Sequence, residues 1–315
     1  MPLTVERPDA AESRAEVRPE KVLSRQETVE KEYGEVIQGR ERQYENDCQG
    51  RPERMMMRPN LATHNNIVLG YANGLVEAQP DLSQEEKTAA TLATILHDSG
   101  KLNSDLMGHH LKGVEYAETM LEGMKGQVFE GVEITDEIIE KVKEAIERHM
   151  NHPFLVRMNK GQRFPEPQDK VDQVVFDADM LANIGFKNVG FRLISPDFLK
   201  QDATAAAQKN ILILEETFEN VLAGVRALDQ AVLSPAAKEK VRELIEATEK
   251  IFSRLKQDNV LPAIQEEFSN NGEYNSSTIQ AKGGMLKMKE RLNETIRQIG
   301  LQLGINQKII GNFQI

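Results

Sequence analysis

The chain has 315 residues, enough for two modest domains that each bury a core without covalent cross-links. Its 50 acidic residues outnumber 39 basic ones and give a net charge of −11, so the composition lacks the excess of basic residues that binds nucleic-acid phosphates. A single cysteine, Cys48, excludes an internal disulfide and a cysteine-based zinc cluster. Because no apolar run approaches the roughly 18 residues of a membrane span and the first residues are polar, we expect a cytoplasmic protein without membrane contact.

Residues 1–57 differ from the rest because they contain little that a core could bury. The composition of residues 1–22, rich in Pro, Glu, Arg and Ala, is typical of a disordered tail. Residues 24–45 could form a polar helix with a thin apolar stripe of Val29, Tyr33, Val36 and Ile37. Such a helix has three alternatives: it remains solvated, it docks on the body, or it binds a partner. Its polarity favours the solvated helix.

The organised body is predicted to begin at Asn60, which can cap a helix. Steps of three and four residues place His64 on the face of that helix that also carries Val68, Tyr71 and Leu75. The imidazole of His64 should therefore point into the core.

A capping box at residues 83–86 predicts a second helix, which is apolar nearly all round and should be central. It ends in His97 and Asp98, with Gly100 close behind. Burying an imidazole and a carboxylate is expensive unless each finds a partner, and a metal ion would satisfy both. The alternative is an ordinary helix end at which Gly100 is left-handed.

Histidines occupy the next two predicted helices. His109 and His110 stand at the start of one, where simple counting puts His110 in phase with the apolar residues Val114, Ala117 and Leu121. Thr135 should cap the next helix, whose inner stripe ends in His149. All six histidines of the chain fall between residues 64 and 152, at positions 64, 97, 109, 110, 149 and 152.

Two acids lie near the middle of a further predicted helix, residues 169–185. Helical phase turns Asp179 inward with Val175, whereas Asp177 aligns with the polar residues Gln173 and Lys170. Inward histidines together with Asp98 and Asp179 are hard to satisfy by hydrogen bonding alone, which favours a metal site over a purely structural histidine cluster. Imidazole and carboxylate ligands without thiolate suit one or two divalent ions, with Mn, Fe, Ni, Mg and Zn not distinguished.

His64, the pair His97-Asp98 and Asp179 resemble the H…HD…D signature of the HD-domain superfamily, all-helical metal-dependent phosphohydrolases. Residues 95–101, ILHDSGK, are similar to its LLHDxGK pattern, and residues 177–190, DADMLANIGFKNVG, to the DADRLDAIGxxGV stretch of YedJ-like bacterial HD hydrolases. Met180 departs from that stretch, where Arg is usual, and the Gly-Tyr-Pro motif of the cyclic-dinucleotide phosphodiesterases is absent after His149.

The resemblance implies a first metal ion held by four side chains: His64, His97, Asp98 and Asp179. Asp98 would bridge to a second ion, completed by His149 and by either His109 or His110. The HxxxG spacing to Gly113 favours His109, and we prefer it because helical counting is a poor guide in a first turn. Lys101, in the HDxGK position, would lie near a substrate phosphate, although an ordinary solvated lysine explains it equally well.

The predicted fold is an all-α HD helical bundle over residues 58–230, with a poorly structured tail over residues 1–57 and a helical extension over residues 231–315. In the extension, Ser234 and Pro235 should start one helix, residues 269–277 should form a polar loop, and an amphipathic helix should follow with an apolar stripe of Met285, Met288, Leu292, Ile296, Ile299 and Leu303. These helices could pack on the body or form a homo-oligomer interface.

We expect hydrolysis of a small phosphoester, such as a nucleotide, by metal-activated water, with Asp98 and Lys101 in the catalytic positions. The substrate is then a small phosphorylated molecule and not a nucleic acid. Two other functions are open. Some HD-fold proteins use the same six-ligand pattern for di-iron oxygenase chemistry, and a non-catalytic metal-binding regulatory or scaffold protein would need the same ligands.

Overall fold

A computed structural model describes residues 23–311 apart from residues 56–57, 184–218, 220–221, 224, 270, 272–280 and 283. The predicted tail of residues 1–22, most of the predicted polar loop and residues 184–218 of the predicted bundle lie outside the described residues. So does the second half of the segment that resembles the YedJ-like hydrolases.

The described chain is all-α apart from one small hairpin. Its N-terminal helices are α1 (Arg25–Glu32), α2 (Gly34–Cys48) and α3 (Pro52–Met55). The body contains α4 (Arg58–Glu77), α5 (Gln84–Leu96), α6 (His109–Glu122), the antiparallel strands β1 (Val128–Phe129) and β2 (Val132–Glu133), α7 (Asp136–Arg148), α8 (Pro153–Met158) and α9 (Lys170–Ala182). The C-terminal helices are α10 (Pro235–Gln257), α11 (Val260–Glu267), α12 (Gly284–Gln302) and α13 (Gln307–Gly311).

Several of the helix starts follow from local capping. Ser83 forms the predicted capping box with Glu86, and the hydroxyls of Thr135 and Ser234 accept backbone N–H groups at the starts of α7 and α10. The start predicted at Asn60 is wrong, because α4 begins at Arg58 and Asn60 lies within its first turn. Pro59 is compatible with this earlier start, since a first-turn residue has no intrahelical use for its N–H.

Helix α5 is central, as predicted. It is buried continuously from Thr88 to Leu96 and packs against α4, α7 and α9, while α6 packs along α7. This arrangement brings the C-terminal ends of α5, α7 and α9 to the same side of the bundle as His64 of α4 and the start of α6.

The expectation of a solvated helix over residues 24–45 is wrong. Val29, Tyr33 and Val36 are each 0% exposed and belong to the main core, where the Tyr33 ring stacks on Phe129 with centroids 5.1 Å apart. The stripe is thin, but α1 and α2 place it against α4, α5 and the hairpin, and burial of these side chains stabilises the docked segment.

The C-terminal helices pack on the body through α10, which contacts α9. Their apolar side chains join the main core, including Val241, Leu244, Ile251, Leu255, Met288, Leu292 and Ile296. Leu303 does not, because it follows the end of α12 and is 39% exposed. None of the described helices is long and apolar enough to cross a membrane.

Candidate metal centre

The turn after α5 is held unusually close to the start of α6. A Cβ atom placed on Gly100 would lie 2.4 Å from the carbonyl oxygen of His109 and 2.5 Å from the backbone nitrogen of Gly113. Gly100 is not among the positive-φ residues, so the alternative of a left-handed C-cap at Gly100 is wrong. The glycine is needed for close backbone approach instead, and this approach carries His109 to Asp98.

One oxygen of the buried Asp98 carboxylate faces two histidines. Asp98 Oδ2 lies 3.5 Å from His64 Nε2 and 3.6 Å from His97 Nε2. Asp179 Oδ1 completes this side of the site, 3.0 Å from His64 Nε2 and 3.9 Å from His97 Nε2. The four side chains that the resemblance implies for a first ion are therefore brought together.

The other Asp98 oxygen faces a second pair of histidines. Asp98 Oδ1 lies 3.1 Å from His109 Nε2 and 4.0 Å from His149 Nε2, and the two Nε2 atoms are 3.3 Å apart. Two groups that could each hold an ion thus share Asp98: His64 and His97 on one side, His109 and His149 on the other.

The tautomers of three of these histidines fit metal binding. The Nδ1 atoms of His97, His109 and His149 lie 2.8, 2.7 and 2.6 Å from the carbonyl oxygens of the residues three positions earlier. A carbonyl oxygen can only accept, so each Nδ1 carries a proton, and in the neutral imidazole Nε2 then presents a lone pair. The Nε2 atoms face one another and the oxygens of Asp98, an arrangement that is stable only when a proton or a metal cation lies between them.

Unpaired atoms and helix ends support the same conclusion. His97 Nε2 is buried without a hydrogen-bond partner among the described residues. His97 and His149 are the C-cap residues of α5 and α7, so the negative ends of two helix dipoles point at the site. Imidazole nitrogens and carboxylate oxygens are ligands that divalent transition ions accept, and this donor set fits one or two of them.

Comparison with protein families finds the HD domain, matched over residues 63–184. Residues 63–184 therefore form an HD domain. The matched segment contains all six of the side chains described above. No curated protein and no solved structure matches the chain significantly. The narrower resemblance to YedJ-like hydrolases is not confirmed and stays a prediction, as do the predicted domain bounds. HD domains are in general metal-dependent phosphohydrolase domains, and the His/Asp cluster of this one could hold metal.

Charged neighbours control the protonation of Asp98 in the HD domain. Burial by itself would raise the pKa of Asp98. The effects of Lys101, His97 and His109 outweigh that of burial and hold this pKa well below its usual range. Lys101 Nζ donates to Asp98 Oδ2 at 2.7 Å and is 27% exposed. Burial by itself would lower the pKa of Lys101, but the negative charges of Asp98 and Asp179 outweigh this effect and raise the pKa. Lys101 is thus paired with Asp98 and only partly exposed, and its contact with a substrate phosphate stays a prediction.

His110 lies outside both groups that could hold an ion. Its ring packs edge-on against Phe164 with centroids 5.5 Å apart, and burial lowers its pKa to about 4. The preference for His109 over His110 therefore has geometric support, and helical counting misled at this position because α6 begins at His109 itself.

His152, which the sequence gave no reason to choose, is also buried near the site. It precedes α8, and burial lowers its pKa to about 4, while Asp179 opposes that shift. Sequence reasoning had no signal for it beyond its place in the histidine-rich part of the chain.

The expectation that Asp177 lies on a polar face is wrong. Its carboxylate is fully buried and accepts the backbone N–H groups of Leu233 and Ser234, both at 2.8 Å. Asp177 therefore anchors the start of α10 to α9, and it is Asp179, one turn from the end of α9, that faces the histidines. Helical phase could not reveal this because the face of Asp177 is covered by a segment distant in sequence.

Replacing each acid by asparagine should separate these two roles. Asp179→Asn removes the charge beside His64 and should lower metal content and activity strongly. Asp177→Asn leaves one carbonyl for two N–H donors, so it should lower the free energy of unfolding by about 1–3 kcal/mol and keep the metal. Metal analysis and urea unfolding of both variants would measure this. Equal losses of metal in the two variants would contradict the assignment of Asp179.

Proposed function

We propose that this HD-domain protein hydrolyses a small phosphoester, a nucleotide, with two divalent ions. The observation that carries the proposal is the division of the Asp98 carboxylate, whose two oxygens face two separate groups of histidines. A carboxylate so placed is suited to bridging two ions, and a pair of ions about 3.5–4 Å apart is a common device for phosphoester hydrolysis.

Divalent ions held here would supply a water whose pKa is lowered from about 15.7 toward about 7, which provides hydroxide at neutral pH. The protein residues do the rest. Three histidines keep their Nδ1 protons on backbone carbonyls and present fixed nitrogen ligands, while Asp98 and Asp179 supply the negative charge that balances the ions. Lys101, which pairs with Asp98 and is partly exposed, would contact the phosphate of the substrate.

The charge of the chain favours a small substrate over a polymer. A net charge of −11 opposes approach of a polyanion, and counterion release on binding would require many cations facing the nucleic acid. A small phosphoester needs only one cationic side chain at the site, and Lys101 meets that need.

Metal analysis followed by a substrate screen tests the proposal. Purified protein should bind about two divalent ions per chain and release inorganic phosphate from a nucleotide in a panel assayed with Mn²⁺, Fe²⁺, Ni²⁺, Mg²⁺ or Zn²⁺. Phosphate release that persists without oxygen supports hydrolysis. Two bound iron ions with oxygen consumption and no phosphate release would overturn the proposal in favour of a di-iron oxygenase. Metal bound without turnover on any phosphoester would overturn it in favour of a regulatory or scaffold protein.

A further inference from the structure

The segment from Arg40 to Arg54 lies outside the part of the chain that matches the HD family, yet it contacts residues within two positions of three of the site side chains. The first contact joins α2 to α4. Asn65 Nδ2 donates to the Tyr44 hydroxyl at 2.7 Å, and both side chains are 0% exposed. Asn65 follows His64 in the chain, so this hydrogen bond fixes the rotation of α4 at the residue that carries the imidazole.

The second contact holds the turn that follows Asp98. Tyr44, Cys48, Leu61 and Leu102 form a small apolar cluster of their own, separate from the main core. Arg54 donates to the backbone carbonyl of Leu102. Leu102 follows Lys101, so both the side chain and the backbone of the residue after Lys101 are held by the N-terminal segment.

The third contact is made by a buried cation. Arg40 is 1% exposed and donates to the carbonyl oxygen of Ile95 at 3.2 Å, while its guanidinium lies 5.9 Å from the centre of the Tyr44 ring. Ile95 is two residues before His97, at the end of α5 where carbonyls lack intrahelical partners. Arg40 thereby fixes the last turn of the helix that delivers His97 and Asp98.

Tyr44 lies at the meeting point of all three contacts. Burial raises the pKa of its hydroxyl, Arg40 opposes that shift and the charge of Asp98 adds to it. The hydroxyl therefore stays protonated and neutral beside the metal centre. Its ring supports Leu102 and Arg40, and its oxygen binds Asn65.

We propose that Tyr44 is a positioning residue of the metal centre, so that the site depends on an N-terminal helix outside the residues that match the HD domain. The inference rests on the proposed metal site. Through Asn65 the residue holds His64, and through Leu102 and Arg40 it holds the turn that carries Asp98 and Lys101. Groups that orient metal ligands from outside the coordination sphere typically change metal affinity by about 10- to 100-fold when they are removed.

The chain offers a matched control in Tyr33, a second fully buried tyrosine of the N-terminal helices. Its hydroxyl donates to Glu130 at 2.7 Å and lies 3.4 Å from the Thr88 hydroxyl. Thr88 is near the start of α5, about 13 Å along the helix from His97. Tyr33→Phe therefore removes a buried hydroxyl from the same docked segment without touching the metal centre.

Mn²⁺ affinity and urea unfolding should be measured for the wild type, Tyr44→Phe, Tyr33→Phe and Asn65→Ala. Tyr44→Phe and Asn65→Ala should each weaken Mn²⁺ binding by about tenfold or more, and Tyr33→Phe should leave it within about twofold of the wild type. The double variant Tyr44→Phe/Asn65→Ala should be no weaker than Asn65→Ala alone, because Phe keeps the ring contacts of Tyr44 and the deleted hydroxyl acts only through Asn65.

Equal Mn²⁺ affinities for Tyr44→Phe and Tyr33→Phe, with binding intact in the wild type, would overturn the positioning role and leave the proposed function standing. Absence of Mn²⁺, Fe²⁺ and Zn²⁺ binding by the wild type would instead overturn the proposed function. If Tyr44→Phe fails to fold, Asn65→Ala alone decides, and wild-type affinity in that variant counts against the proposal.

Discussion

Asp98→Ala should abolish the binding of both ions and reduce phosphoester hydrolysis to background. Asp98 is the one side chain shared by the two candidate ligand groups, and it provides buried negative charge that balances the ions. Metal content should fall from about two ions per chain to none. The variant should also lose stabilisation by metal, which for the wild type amounts to about 2.7 kcal/mol at a free ion concentration 100 times the dissociation constant.

Metal analysis and thermal unfolding with and without added ion would check this result. Asp177→Asn is a suitable control, since it changes another fully buried carboxylate of the same domain whose partners are backbone N–H groups. Circular dichroism would verify that Asp98→Ala is folded, and Asp98→Asn provides a second variant of nearly unchanged volume. Stoichiometric metal retained by either Asp98 variant would remove Asp98 from the site.

His109→Ala or His149→Ala should lower metal content from about two ions to about one and leave the fold intact. Both Nε2 atoms face Asp98 Oδ1, whereas His64, His97 and Asp179 lie on the other side of the carboxylate. The first ion should therefore remain. Hydrolysis should fall strongly, because one ion is left to neutralise charge that develops on the phosphoryl oxygens.

His110→Ala is the matched comparison for this prediction. It removes a buried histidine adjacent in sequence, and the lost packing on Phe164 should lower the free energy of unfolding by about 1–3 kcal/mol while both ions are retained. Loss of one ion in His110→Ala and not in His109→Ala would reverse the ligand assignment. A single ion in the wild type would exclude the dinuclear mechanism.

The sequence by itself determined the HD domain, the central position of α5 and several of the helix starts. These features are local. A capping box acts within four residues, an apolar face repeats every three or four residues, and the ILHDSGK pattern is contiguous. Phase also turned His64 and Asp179 inward correctly, because both lie within helices and away from their first turns.

Only the tertiary structure decided the features that depend on contacts between distant segments. Local phase cannot show that α10 covers Asp177, that Gly100 is needed because α6 crosses beside it, or that His109 is the residue brought to Asp98. The docked N-terminal helices are the largest such case. In isolation, the apolar stripe of Val29, Tyr33 and Val36 is too thin to indicate a buried helix. These residues become part of the core only because α5 and the hairpin present a complementary apolar surface to them.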